Sequence, residues 1–593
     1  MPELQFKGKE FVYNHHLTVP YRPLVPDTGK SVGKPSLNGN LIIHGDNLHA
    51  LKALLPMYAG KVDCIFIDPP YNTGNEGWSY NDNVNSPMMR EWLRSNPINA
   101  EDMLRHDKWC AMMWPRLTLL RELLSDRGSF WMTLDDNEIS NARGILDEIF
   151  GEKSFVGQLV WKSRKSEDSR ALTGISTDHE YVLCYAKSST FRASGVEIDE
   201  KKFSNPDGDP RGPWRSADMT GLATVEQRPN LHYVLTNPLT RKPYPTPYRG
   251  WRFEQPAMAK RIAEGRILWP AEDDGRPRQK LFRSELKRAT KNASSVLDFV
   301  STGDGSKELD AIFGKRVFDF PKPSELLRFI ILQSTSFDSL VLDSFAGSGT
   351  AAHAVLAANS ADDGERHFIL VECEDYADTL TAERVRRVIR GYEFEGTQKE
   401  ELLRESLTWT KLKKADGLLA RVAGIEEANE ARFDNISKAV KDGELIVTGE
   451  KKVTERTEGL GGEFTYCTLG PELNVDKILT GEELPDYLSV GAWLFHTATG
   501  EAFDATKVKA KSWYLGESMA YHVWLVYRPE LDFLKSADAA LTLALAEKIA
   551  KAKPAGKKHL VFAPAKYVPN SKLLPMGVEY APLPFALYRI EKG

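Results

Sequence analysis

The chain has 593 residues, 41% hydrophobic and 27% charged, with a formal net charge of -5. That length exceeds one ordinary core and implies three or four domains, and the composition reads as that of a globular, soluble chain. No apolar run is long enough to span a membrane, and the opening "MPELQFKGKE" lacks the apolar core of a secretory signal. The five cysteines, Cys64, Cys110, Cys184, Cys373 and Cys467, form no CxxC pair. This argues against a disulfide framework or a cysteine zinc site and fits a reducing cytoplasm.

In chain order, "LIIHG" (Leu41–Gly45) reads as a short strand, and a helix with Leu48, Leu51 and Leu55 on one face begins near Asp46. "VDCIFI" reads as a buried strand that ends at Asp68. "WPRLTLLRELLSDRG" predicts a helix with Pro115 early, Gly128 past its end, and Leu117, Leu120 and Leu124 as its core stripe. "SFWMTL" and "DHEYVLCYAK" predict two more strands, and the alternation argues for a parallel sheet covered by helices. From about Ser188 to Gly314 this rhythm is lost, and it returns at "SLVLDSFAGSGTAAHAVLAA" and "HFILVECE". The expected organisation is 1–187 and 315–394 as two parts of one α/β core, 188–314 as an insertion, 395–445 as a helical connector and 446–593 as a C-terminal α/β domain.

The insertion carries the charge asymmetry. Arg241–Asn292 holds 14 Lys/Arg against 6 Asp/Glu in a chain that is acidic overall. Arg249, Trp251, Arg252 and Phe253 alternate cations with rings, and Arg276, Arg278 and Arg283 follow. Such a stretch can neutralise phosphates and stack on bases, or simply form a solvated face.

Two motifs carry chemistry. In "VLDSFAGSGT", Asp343 ends a strand, and Gly347 and Gly349 allow a tight turn with close ligand approach. The spacing is neither GxGxxG nor a phosphate loop. Glu372, 23 residues after Gly349 at the end of the next strand, is placed to accept from a ribose diol. In "VDCIFIDPPYNTG", the prolines have no N–H and fix φ, so Asp68 and the Pro69 carbonyl form a rigid set of acceptors suited to a planar amine. Tyr71 offers a stacking face. Hydrogen bonds from both amine N–H groups would favour a pyramidal nitrogen and stabilise positive charge on it. In a duplex such an amine is reachable only on a flipped base.

"DPPY" followed about 275 residues later by "FAGSG" resembles the paired signature of the beta group of DNA adenine-N6 methyltransferases. "LIIHGDNLHAL" and "FDFPKPSELLRFII" sharpen the likeness to Mod subunits of type III restriction-modification systems. The resemblance implies a doubly wound, circularly permuted core that uses S-adenosylmethionine, with the insertion as a target-recognition domain. It implies Asp68, Pro69, Pro70 and Tyr71 as catalytic corner, and Asp343, Phe345, Gly347, Gly349 and Glu372 as cofactor residues. Asp46 would lie near the cofactor adenine, with Lys322 and Ser324 over its other end. Thr350 is followed by Ala351 where many relatives have a second threonine, which loosens one possible contact. No metal is implied, and His44, His49 and His353 read as structural. Duplex DNA, a homodimer and a helicase-nuclease Res subunit are the implied partners. A solitary or other defence-system adenine methyltransferase shares every motif. A cytosine-N4 or RNA amino-methyltransferase, which more often has Ser at the position of Asp68, and a non-enzymatic DNA-binding protein are further alternatives.

Overall fold

The run Val62–Ile67 is buried at every position but Asp63, as a strand covered on both faces must be. It lies within a sheet that has ten strands among the described residues. In chain order these are β1 (Leu24–Val32), β2 (Leu41–His44), β3 (Val62–Ile67), β4 (Leu124–Leu134), β5 (Phe155–Trp161), β6 (Glu180–Ala186), β7 (Val296–Leu297), β8 (Leu340–Asp343), β9 (His367–Glu372) and β10 (Phe464–Leu469). Their spatial order is β1-β10-β2-β9-β8-β3-β4-β6-β5-β7. The computed structural model describes residues 3–73, 104–169, 174–270, 272, 275–286, 290–413, 415–441, 443–473, 484–552 and 556–583. Gly74 of the corner segment, and Lys287 and Arg288 of the basic stretch, lie outside the described residues.

Side chains alternate across β3, so Ile65 and Ile67 enter one core and Cys64 and Phe66 the other. The first core includes the helices Asn47–Tyr58 and Arg105–Leu123, and the second includes Ser324–Ser334 and Thr350–Asp362. From β10 across to β4 every neighbouring pair is parallel, whereas β6 opposes β4 and β5, and β1 opposes β10. The sheet is therefore mixed, not wholly parallel. The chain leaves β8 for β9 on one side and β3 for β4 on the other. This makes the β8/β3 boundary a switch point, where open α/β sheets place ligands.

Several expectations are corrected. The compact insertion is narrower than 188–314, spanning Ser194–Ala293. After it, Val296–Leu297 returns to the main sheet and Thr302–Phe313 forms a helix capped by Ser301 and Asp304, with Leu309 and Ile312 buried. Residues 395–445 are not a purely helical connector. Gly391–Ser406 is a strand paired antiparallel with Glu444–Glu458, and the helices Trp409–Leu412 and Ala415–Asn429 lie between them in sequence. Cross-strand partners distant in sequence supply the backbone bonds that a local reading assigned to a helix. The 446–593 boundary is wrong for the same reason, because Phe464–Leu469 is β10 of the main sheet. A separate sheet of Tyr514–Glu517, Tyr521–Leu525, Lys558–Ala563 and Val578–Pro582 follows. The Pro115 helix begins at Arg105, so proline sits inside it, and Leu124 starts β4 instead of joining the helical stripe.

The Ser194–Ala293 unit has its own small core of Met219, Leu235, Tyr244, Trp251, Met258 and Ile267. Trp251 is thus packing and not a stacking surface; its ring N–H donates to the Tyr233 carbonyl at 2.8 Å. Arg261 lies over the Phe253 ring. Arg241, Tyr248, Arg249, Arg252 and Arg276 are exposed. Among the described residues no helix is long and apolar enough to cross a membrane.

Candidate active site

The corner begins where β3 stops. Asp68 Oδ1 accepts from Thr133 Oγ1 at 2.6 Å, a bond made because β4 runs alongside β3 and carries Thr133 to the same level. The Pro70 carbonyl is taken by the Trp109 ring N–H at 2.8 Å. Asn72 then adopts left-handed backbone, with φ 61°, a conformation asparagine tolerates better than most residues. Its side-chain amide donates to the buried Glu138, which also accepts from Asn141 at 2.8 Å and faces His106 Nδ1 at 2.7 Å. Burial pushes the Glu138 carboxyl up, against the bonds from Asn141, Asn72 and His106. Tyr71 donates to Glu180 Oε2 at 2.7 Å.

The glycine loop follows β8, hydrogen-bonded beside β3 with Leu342 opposite Ile65. Asp343 and Asp68, 275 residues apart in sequence, therefore leave adjacent strand ends. Asp343 Oδ1 accepts from the Phe345 N–H at 3.0 Å. Burial, opposed by that bond but aided by the charges of Asp68 and Glu372, pushes the Asp343 carboxyl up to about 8. Gly347 has φ 50° and donates from its N–H to Glu372 Oε2 at 2.7 Å. Gly349, at φ 79°, caps the Thr350–Asp362 helix, and a Cβ there would lie 3.0 Å from the Thr381 carbonyl. Glu372 Oε1 accepts from the Glu374 N–H at 3.0 Å, so this acid organises the loop from the neighbouring strand. Asp46 caps the Asn47–Tyr58 helix through the Leu48 and His49 N–H groups and pairs with Arg116 at 3.3 Å. Burial acts against its charge, but Arg116 and His49 hold the Asp46 carboxyl well below the usual range.

One cavity of about 1730 Å³ joins these parts and is lined by Asp46, Asp68, Tyr71, Asp343, Gly347 and Glu372, among others. Pro69, Pro70, Phe345 and Lys322 also line it. Two sequence candidates are placed differently. Ser324 is not among the lining residues, and its hydroxyl donates to Glu308, which also takes its N–H at 3.2 Å. Gly349 shapes the helix start and does not line the cavity. Lys322 lies at the corner, its Nζ 2.8 Å from Asp68 Oδ2 and 3.5 Å from Glu180 Oε2. Sequence reasoning missed Glu180, Thr133, Glu138 and Arg116. Only Arg116, an arginine amid the apolar positions of "WPRLTLL", left a local signal; it is almost wholly buried and donates to Asn47 Oδ1 at 2.5 Å.

The cavity has features of a site for a cationic, polar ligand. Asp343 is buried with a backbone N–H as its hydrogen-bond partner, and Ser344 Oγ in the cavity wall is buried with no partner among the described residues. Both fit S-adenosylmethionine, whose sulfonium and ammonium would relieve the first and whose polar groups could satisfy the second. Among the described residues no group of three or more His, Cys, Asp or Glu side chains is placed to hold a metal ion.

An acid-proline corner on one strand end and a glycine turn on the next thus open into one cavity at the switch point, where open α/β sheets place ligands. The chain belongs to the DNA methylase family N6_N4_Mtase, which matches residues 62–383. It is 33% identical over 383 residues to the type III restriction-modification enzyme StyLTI Mod subunit of Salmonella typhimurium, covering 62% of this chain and 58% of that one. The EcoP15I Mod subunit of Escherichia coli is 29% identical over 384 residues, covering 57% of this chain and 58% of that one. Type II methyltransferase M.KpnI of Klebsiella pneumoniae is 33% identical over 364 residues, covering 58% of this chain and 83% of that one. The chain thus spans little more than half the length of the two Mod subunits.

Proposed function

We propose that this protein transfers a methyl group from S-adenosylmethionine to adenine N6 at a specific site in duplex DNA, as the modification subunit of a type III system. The observation that carries the reading is the adjacency of the Asp68 corner and the Asp343 loop on neighbouring parallel strands. Asp68 and the Pro69 carbonyl accept the two amine hydrogens and draw the nitrogen lone pair out of the ring. Tyr71 takes one face of the flipped base. Asp343, Phe345 and the Gly347 turn hold the cofactor, with Glu372 at its ribose and Asp46 near its adenine. When bound, S-adenosylmethionine supplies an electrophilic methyl group, and alignment rather than acid-base chemistry is what the corner contributes.

The catalytic corner preceding the cofactor loop makes the core circularly permuted, and the Ser194–Ala293 unit is its target-recognition domain. Duplex DNA, a second copy of the chain and a helicase-nuclease Res subunit are the partners of this reading. The likeness to the Mod subunits supports the type III assignment, while the likeness to M.KpnI favours the second reading, a methyltransferase acting without Res. The test is methyl-labelled cofactor with mixed duplex DNA and nucleoside analysis. Label in N6-methyladenine is expected; label in N4-methylcytosine, or none despite cofactor binding, overturns the reading.

A further inference from the structure

Lys322 stands where the target amine would have to arrive. Its side chain is only 10% exposed, and its ammonium lies 2.8 Å from Asp68 Oδ2. The other carboxylate oxygen is already engaged by Thr133. The same ammonium lies 4.9 Å from the centroid of the Tyr71 ring, within cation–π range of the ring on which the base would stack. Both functions assigned to the corner, accepting an amine and stacking a ring, are thus taken up by one lysine.

We propose, resting on the adenine-N6 reading above, that Lys322 is a displaceable occupant of the target-base pocket, holding Asp68 until the exocyclic amine replaces it. The destination is at hand: Glu180 Oε2 lies 3.5 Å from the ammonium and is tied in place by the Tyr71 hydroxyl. A short swing of the four-carbon side chain keeps the charge paired throughout. The backbone need not follow, because Pro321 and Pro323 flank Lys322 and the Lys322 carbonyl accepts from Thr350 Oγ1 at 3.2 Å. Burial opposes the charged form of Lys322, but Asp68 and Glu180 outweigh it and raise its ionisation above that of an ordinary lysine.

Two consequences follow physically. Until the amine arrives, the half-buried Asp68 carboxylate keeps a cation beside it. Only a base that brings N–H donors can replace the bond it breaks, since a carbonyl edge would set an acceptor against a carboxylate. The lysine thus converts an open pocket into one that selects for an amine. Lys322 is in this sense a positioning and selecting residue, not a catalytic one.

The test uses the full chain and DNA whose methylated site has been mapped with the wild-type protein. With 2-aminopurine, which carries no 6-amine, at the target position and protein saturating the DNA, Lys322→Met is expected to raise the extruded fraction about tenfold, and on DNA with adenine at the target it should lower KM by a similar factor. Tenfold corresponds to about 1.4 kcal/mol. Lys322→Arg, which keeps the charge, should not show this gain. Glu180→Gln keeps the plug but removes its destination, so KM for DNA should rise about tenfold while the cofactor Kd stays as in wild type. Since Glu180→Gln is isosteric, it decides the matter if Lys322→Met does not fold. Unchanged or reduced extrusion in a folded Lys322→Met, or an unchanged KM in Glu180→Gln, overturns the displacement while leaving adenine methylation standing. A wild-type protein that methylates no DNA removes the underlying reading, and this proposal with it.

Discussion

Asn72 and Glu138 are joined by a side-chain hydrogen bond behind the Asp68 corner, and the bond holds a residue in left-handed backbone immediately after Tyr71. The corner is therefore gripped from both ends, by Thr133 at Asp68 and by Glu138 at Asn72. Asn72→Ala should lose both the bond to a buried carboxylate and the tolerance for positive φ, together about 2–3 kcal/mol. Asn72→Gly should recover about 1 kcal/mol of this by removing the backbone strain alone. Thermal unfolding measures the stability difference, and a fall in kcat in both variants would show that the bond also positions the corner.

Asp68→Ala should abolish methyl transfer while leaving cofactor and DNA affinity within a few-fold of wild type. Single-turnover kinetics with labelled cofactor, alongside equilibrium binding of each ligand, separates the two effects. Full activity in this variant would remove the amine-acceptor mechanism.

Asp343 predicts a pH effect with a definite sign. Burial raises its carboxyl from the ordinary carboxylate range to about 8 in the folded chain. The folded state therefore holds a proton that the unfolded state has released, and stability falls as pH rises from about 4 toward 8. Asp343→Asn should be more stable than wild type, by a margin that grows across that window and levels off above it. Binding a cationic cofactor favours the ionised form, so it should release up to one proton in the same window. Affinity should then rise with pH. Calorimetry in buffers of different ionisation enthalpy reads the proton, and cofactor affinity independent of pH would contradict the assignment.

The exposed cations of the Ser194–Ala293 unit make a salt-dependence prediction. Arg249→Ala and Arg252→Ala should each reduce the slope of log K against log salt for duplex DNA by about 0.9. The loss should be similar across DNA sequences if they meet phosphates. An unchanged slope in the double variant would place the DNA surface elsewhere.

Much of this site could be read locally. The strand before Asp68, the turn demanded by Gly347 and Gly349, the helix start at Asp46 and the acid at Glu372 each follow from chain geometry within a few residues. Burial periodicity and the φ preferences of proline and glycine act over that range, so the motif residues are legible in the sequence. The fate of Ser324 and Trp251 was not, because each side chain is committed to a partner that sequence distance conceals, Glu308 in one case and the Tyr233 carbonyl in the other.

The ends of the sheet, the strand at Gly391–Ser406 and the incorporation of Phe464–Leu469 depend on hydrogen bonds to segments tens or hundreds of residues away. No local propensity specifies such a pairing; it is settled by which buried edges remain open once the core has assembled. The same holds for chemistry. Asp68, Glu180 and Lys322 come from three distant segments, and only folding brings one ammonium between two carboxylates. The sequence determined the groups present at each strand end, and the tertiary structure decided which charges face one another, because electrostatic pairing in a buried site depends on separation in space and not along the chain.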